Sequence, residues 1–160
     1  SKQIGIGALV FNYLKSGKNK DIIFDLDETL RFDGETGPYI QYTYVRAKSL
    51  LERAKFNIED VKIDRLNLDL LTQAQEVQLI KELEKLTSII KKASDEYEPS
   101  ILARYLIDVA TSFSKFYNEC SVINVEDDEL KDARCALVYA TSIVIKNGLK
   151  ILGIDCPDKM

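Results

Sequence analysis

Apolar residues recur along most of this chain at the three- and four-residue spacing of helices buried on one side. Ile4, Ala8 and Phe11 open the pattern, which stops before Ser16-Gly17-Lys18-Asn19, a run of turn formers. A second stripe, Ile40, Tyr44, Ala47, Leu51 and Ala54, follows Pro38, whose missing N–H is tolerated in the first turn of a helix. Val77, Ile80, Leu83, Thr87 and Ile90 give a third stripe between Thr72 and about Ala93, with a bend expected near Leu86-Thr87. After Glu98-Pro99, the positions Leu102, Leu106, Val109, Phe113 and Phe116 predict a helix to about Tyr117. The last helix is the clearest. Glu126-Asp127-Asp128-Glu129 places acid at its positive end, and Leu130, Ala133, Leu137, Thr141, Ile145, Leu149 and Leu152 line one face. Gly153 suits its C-terminal cap, with Pro157 beyond. Residues 57–71 are less regular, and Lys20 to Phe32 reads as either a strand stub or a short helix. The sum is an all-α chain, an antiparallel helix bundle.

A length of 160 residues fits one domain with its own core, and 46% hydrophobic against 30% charged residues is the balance of an ordinary globular domain. No apolar run approaches the length needed to span a bilayer, and Ser1-Lys2-Gln3 does not open a signal peptide. The chain starts without Met and inside an apolar pattern, which leads us to expect a piece of a longer protein. Its three cysteines, Cys120, Cys135 and Cys156, are far apart, never in a Cys-x-x-Cys pair, and suit a reducing cytoplasm. With no histidine, a four-ligand zinc site and histidine-dependent nucleophiles are disfavoured. A net charge of −4 argues against general nucleic-acid binding, so any RNA contact needs a local patch, and neither DNA nor membrane is expected as a partner.

Three groups of residues could carry chemistry. Ile22-Ile23-Phe24-Asp25-Leu26-Asp27-Glu28-Thr29-Leu30 resembles the opening motif of haloacid-dehalogenase-like phosphatases, in which paired aspartates serve as nucleophile, acid/base and Mg²⁺ ligands. That chemistry needs a doubly wound α/β domain, whereas only helical periods follow Leu30. A carboxylate pair beside a turn ordinarily caps a helix or is solvated. On the Pro38 helix, Tyr39, Tyr42, Arg46 and Arg53 fall within an arc of roughly 60°, beside the apolar face. Phenol rings and guanidinium groups on one stripe suit unstacked RNA, through stacking and phosphate pairing. The same stripe can also finish a core edge with its arginines paired to surface acids, or belong to a helical protein-interaction domain. The third group is the C-terminal end, where Ile154, Pro157 and Met160 imply a tail packed back on the bundle.

Taken in order, these segments resemble the C-terminal part of arginyl-tRNA synthetases. The family usually carries Phe-Asp-Trp-Asp, then Phe-Glu-Gly-Asn-Thr, then Pro-Tyr-x-Gln-Tyr. Here the matching residues are Phe24-Asp25-x-Asp27, Leu30, Phe32, Gly34, Thr36, Gly37 and Pro38-Tyr39-x-Gln41-Tyr42. Agreement over so many positions is more specific than the phosphatase motif and absorbs it. Gly5-Ile6-Gly7-Ala8-Leu9-Val10-Phe11 is similar to the segment after that family's catalytic loop. Glu98-Pro99, Tyr105-Leu106, Ala110 and Phe116-Tyr117 are similar to its Glu-Pro, Tyr-Leu, Ala and Phe-Tyr, and the ending from Gly148-Leu149 to Met160 to its usual close. Leu26 and Glu35 stand where Trp and Asn are common. The domain type is named for Asp-Ala-Leu-Arg, for which Asp132-Ala133-Arg134-Cys135 is the nearest text, and Lys159 replaces an Arg.

The resemblance implies a helix bundle of the class I synthetase anticodon-binding type. Residues 1–37 would connect to a catalytic domain and residues 38–160 would form the anticodon-binding domain, which grips the anticodon stem-loop of tRNA(Arg). It places the anticodon contacts on Tyr39, Tyr42, Tyr117 and Met160, with Gln41, Arg46, Arg53 and Arg134 as weaker sites for hydrogen bonds or phosphate contact. ATP and Mg²⁺ belong to the full-length ligase. The signatures His-Ile-Gly-His and Lys-Met-Ser-Lys-Ser do not occur here, so this piece is expected to hold no cofactor and to catalyse nothing by itself.

Overall fold

The computed structural model describes residues 2–17, 25–61 and 66–160, and every regular element among them is helical. In chain order these are α1 (Lys2–Leu14), α2 (Leu26–Thr29), α3 (Gly37–Ala54), α4 (Ala74–Glu84), α5 (Leu86–Asp95), α6 (Ser100–Glu119) and α7 (Asp128–Ile151). Single 3₁₀ turns at Ile58–Asp60 and Leu68–Leu70 occupy the stretch that lacks clear periodicity. The apolar triplet Ile22-Ile23-Phe24 lies outside the described residues.

Local chemistry sets the element ends. Asp25 caps α2 by accepting the Glu28 N–H at 3.0 Å, and the Thr29 hydroxyl donates to the Asp25 carbonyl. Nothing supports the phosphatase alternative: Asp25 serves as a cap, and no strand occurs among the described residues. Thr36 caps α3 through the Tyr39 N–H, and Asp127 caps α7 through the N–H groups of Glu129 and Leu130. The third stripe breaks into two helices at Lys85, close to the expected bend. The Tyr105 hydroxyl, from α6, donates to the Glu82 carbonyl at 2.9 Å and so occupies an oxygen near the end of α4. Helix α7 closes in a Schellman turn. Gly153 takes φ 74°, its N–H donates to the Lys150 carbonyl, and the Ile154 N–H donates to that of Leu149.

Two apolar clusters fill the bundle. One gathers Phe11, Ile40, Tyr44, Leu102, Leu106, Val109, Ile145 and Leu149 from α1, α3, α6 and α7. The other gathers Ala47, Leu51, Leu79, Phe113, Phe116, Ala133 and Val138 from α3, α4, α6 and α7. Helix α3 packs chiefly on α7 and α1, and α4 on α6. The α1–α3 crossing is close enough to require glycine, since a Cβ at Gly37 would lie 2.7 Å from the Gly7 carbonyl oxygen.

Burial pushes the Tyr105 phenol up to about 12. A phenol whose folded value lies above its unfolded one favours the fold below about pH 10, and that contribution fades as pH rises towards 12. The urea midpoint should therefore fall between pH 9 and pH 11.5, and Tyr105→Phe should remove part of that fall while lowering the midpoint at neutral pH.

Candidate nucleic-acid interface

The phase of α3 decides what reaches the surface. Ile40, Tyr44, Ala47 and Leu51 are buried, which turns Tyr42 and Arg53 outward, Tyr42 being 41% exposed. Tyr39 and Arg46 are half-buried on the same sector, where α6 lies against them. The Tyr39 hydroxyl is 3.0 Å from Ser114 Oγ and 3.3 Å from the Ala110 carbonyl oxygen. One turn further along α6, the Tyr117 ring carries the Arg46 guanidinium 3.6 Å above its centroid, a cation–π stack. Phe113 supports Tyr117 from the core at 6.2 Å between ring centroids. A shallow hollow of about 160 Å³ opens beside the stack, between Leu50, Arg53, Tyr117 and the turn at Cys120, Ser121 and Val122.

The C-terminal tail borders the opposite side of this strip. The buried carboxamide of Gln41 donates from Nε2 to the Asp155 carbonyl at 2.7 Å. Asp158 pairs with Lys48 at 3.0 Å, an exposed contact that raises the lysine pKa and lowers that of the aspartate. Ile154 and Pro157 are buried, and Met160 is 40% exposed two residues beyond the ion pair. Tyr42 thus lies on an exposed strip of α3 bounded by α6 on one side and by the tail on the other. The strip offers ring faces and a planar guanidinium, both suited to stacking on bases. Among the described residues no cluster of three or more His, Cys, Asp or Glu is placed to hold a metal ion.

The family model for the DALR anticodon binding domain matches residues 40–160. The chain belongs to the DALR anticodon-binding domain family. It is 50% identical, over its whole length, to an arginine–tRNA ligase of Clostridium acetobutylicum, and 49% identical to one of Clostridium botulinum. It spans 28% of the length of each of these relatives. Among solved structures it superposes on Thermus thermophilus arginyl-tRNA synthetase with a TM-score of 0.89 at 30% identity, covering 99% of this chain and 27% of that one. The Plasmodium falciparum arginyl-tRNA synthetase gives a TM-score of 0.88 at 29% identity, with the same coverage.

Within this DALR domain the residues picked out from sequence divide. Tyr39, Arg46, Arg53 and Tyr117 come together along the α3–α6 seam, with Tyr42 exposed on the neighbouring face of α3. Gln41 and Arg134, the weaker candidates for hydrogen bonds or phosphate contact, do not join them, because both are buried. Gln41 is 0% exposed and holds the tail, as above. Arg134 is 4% exposed, its Nε donates to Glu76 Oε1 at 2.6 Å, and its Nη1 donates to the Ser121 carbonyl. Sequence reasoning did not find Ser114, Lys48 or the turn at residues 120–122, because each acts through a partner distant along the chain.

Glu76 is 0% exposed, so Arg134→Met leaves a buried carboxylate without its charged partner, with only the Gln73 N–H still donating to it. The loss should be about 3–5 kcal/mol in urea unfolding, and the double variant with Glu76→Met should recover most of it.

Proposed function

We propose that this chain is the anticodon-gripping domain of a cytoplasmic arginine–tRNA ligase, reading tRNA(Arg) with Tyr39, Tyr42, Arg46, Tyr117 and Met160. The observation that carries the reading is the Arg46–Tyr117 stack beside exposed Tyr42, on a domain of the DALR family. A flipped-out base can extend that stack on the outer face of the guanidinium or lie on the Tyr42 ring, and Arg53 beside the hollow can meet a phosphate. Recognition by stacking and a few base edges fits a net charge of −4, which weakens non-specific attraction to the phosphate backbone.

The ATP- and Mg²⁺-dependent joining of arginine to tRNA belongs to the rest of the ligase. This domain contributes by fixing one end of the tRNA, so that the other end is held in place at the distant active site. Residues 1–37 connect to that part of the protein. Ile6, Leu9 and Tyr13 on α1, with Leu26, Leu30 and Phe32 after it, are 40–56% exposed, and an apolar set of this kind suits burial against a neighbouring domain.

Titration of the full-length ligase with tRNA(Arg), and with the same tRNA altered at its central anticodon base, tests the reading. Tyr42→Ala should weaken the matched complex by about 5- to 150-fold, the range of one stacking contact, and leave the altered one nearly unchanged. Equal binding of both tRNAs by the unmodified ligase would reject it.

A further inference from the structure

A glutamine with no exposed surface, aimed at a backbone carbonyl rather than at solvent, needs an account. Gln41 Nε2 lies 2.7 Å from the Asp155 oxygen, while its Oε1 has no hydrogen-bond partner. Turning the amide over would set oxygen against oxygen, so the orientation is fixed by the carbonyl it meets. The amide rests on bare backbone, since a Cβ at Gly7 would fall 2.6 Å from Nε2 and 3.1 Å from Oε1. Three elements therefore meet at one carboxamide: α1 through Gly7, α3 through Gln41, and the tail through Asp155.

The two tail contacts fix its path. From Gln41 to Lys48, α3 advances about 10.5 Å. From Asp155 to Asp158 an extended chain covers about 10 Å. The tail therefore runs extended beside α3, towards the C-terminal end of that helix, with Asp155 over Gln41 and Asp158 over Lys48. The chain bends at Asp158, and the two residues that follow end at the exposed Met160. Around the helix, Tyr42 lies about 100° from Gln41 and Arg46 about 40° further on, so the tail and α6 wall the exposed strip from opposite sides.

The anchors are not equivalent. Burial of Ile154 and Pro157 is non-directional and holds the tail down without choosing its register. The Lys48–Asp158 pair is exposed, at 39% and 89%, and screened by salt. The Gln41 hydrogen bond is both buried and directional.

We propose that Gln41 is a positioning residue of the anticodon interface: its buried amide sets the register of the C-terminal tail along α3, and so the wall that the tail forms beside the strip that holds Tyr42. The inference rests on the anticodon-reading function proposed above.

The test uses the full-length ligase, with the unmodified protein, Gln41→Met, a truncation ending at Cys156, and both changes together. Each is titrated with matched and anticodon-altered tRNA(Arg), and hydrogen exchange is followed in the peptide covering residues 150–160. Gln41→Met should speed exchange in that peptide and weaken matched binding about five- to tenfold, the factor of one buried hydrogen bond. It should leave altered binding unchanged and have no further effect in the truncated protein. Asp158→Asn, a surface change that leaves the interior intact, should narrow the discrimination in the same direction by a smaller factor. An equal loss from Gln41→Met in intact and truncated proteins overturns the proposal, because the effect would then bypass the tail. So does a loosened tail with discrimination fully retained, while Tyr42→Ala still abolishes it; that result leaves the anticodon reading standing. Equal binding of both tRNAs by the unmodified ligase removes the anticodon reading and this inference together.

Discussion

Ile40, Tyr44, Ala47 and Leu51 leave water along one side of α3, against α1, α6 and α7. Ile40 and Leu51 each contribute about 1.5–3 kcal/mol when buried, and with Tyr44 and Ala47 they set the rotation of the helix. That burial fixes the azimuth of every other residue on α3. Tyr42 and Arg53 face outward because Ile40 and Leu51 face inward, and Arg46 lies over Tyr117 beside the buried Ala47. The interface is thus the remainder of the packing solution.

The polar interior acts by different means. Arg134 joins α7 to Glu76 on α4 and to the Ser121 carbonyl, so the turn that borders the hollow is tied to two helices. A pair this deeply buried does little for net stability, because both charges lose their hydration. Its value lies in direction: it allows few geometries, and one of them holds the turn against Tyr117. The wall of the hollow beside Tyr117 is rigid for that reason.

The sequence made the helices legible because their stripes are long, and it made the outward sector of α3 legible because phase follows from spacing alone. The burial of Gln41 and Arg134 was not legible for one physical reason. A polar side chain is exposed by default, and only its partners bury it. The partners here are Asp155 and Glu76, 114 and 58 residues away, beyond the reach of any local pattern. The Arg46–Tyr117 stack was hidden in the same way: both residues were singled out, yet nothing in their spacing says that α3 and α6 lie side by side. The break at Lys85 was legible only as a bend, because the residue that helps end α4, Tyr105, comes from another helix. At Asp25 the sequence reading suffices: a short motif imitates catalytic chemistry, while its first carboxylate starts a single helical turn, as a carboxylate beside a turn ordinarily does.

The Schellman turn at Gly153 makes α7 a ruler. The tail departs from the end of that helix, so its landing point on α3 is measured from Asp127 by counting residues. One residue inserted into α7 would shift the departure point by about 1.5 Å and swing it by about 100°. Asp155 would then no longer face Gln41. Length changes in this part of the family should accordingly collect in the segment before Asp127, or in the irregular stretch after α3, and spare the final helix.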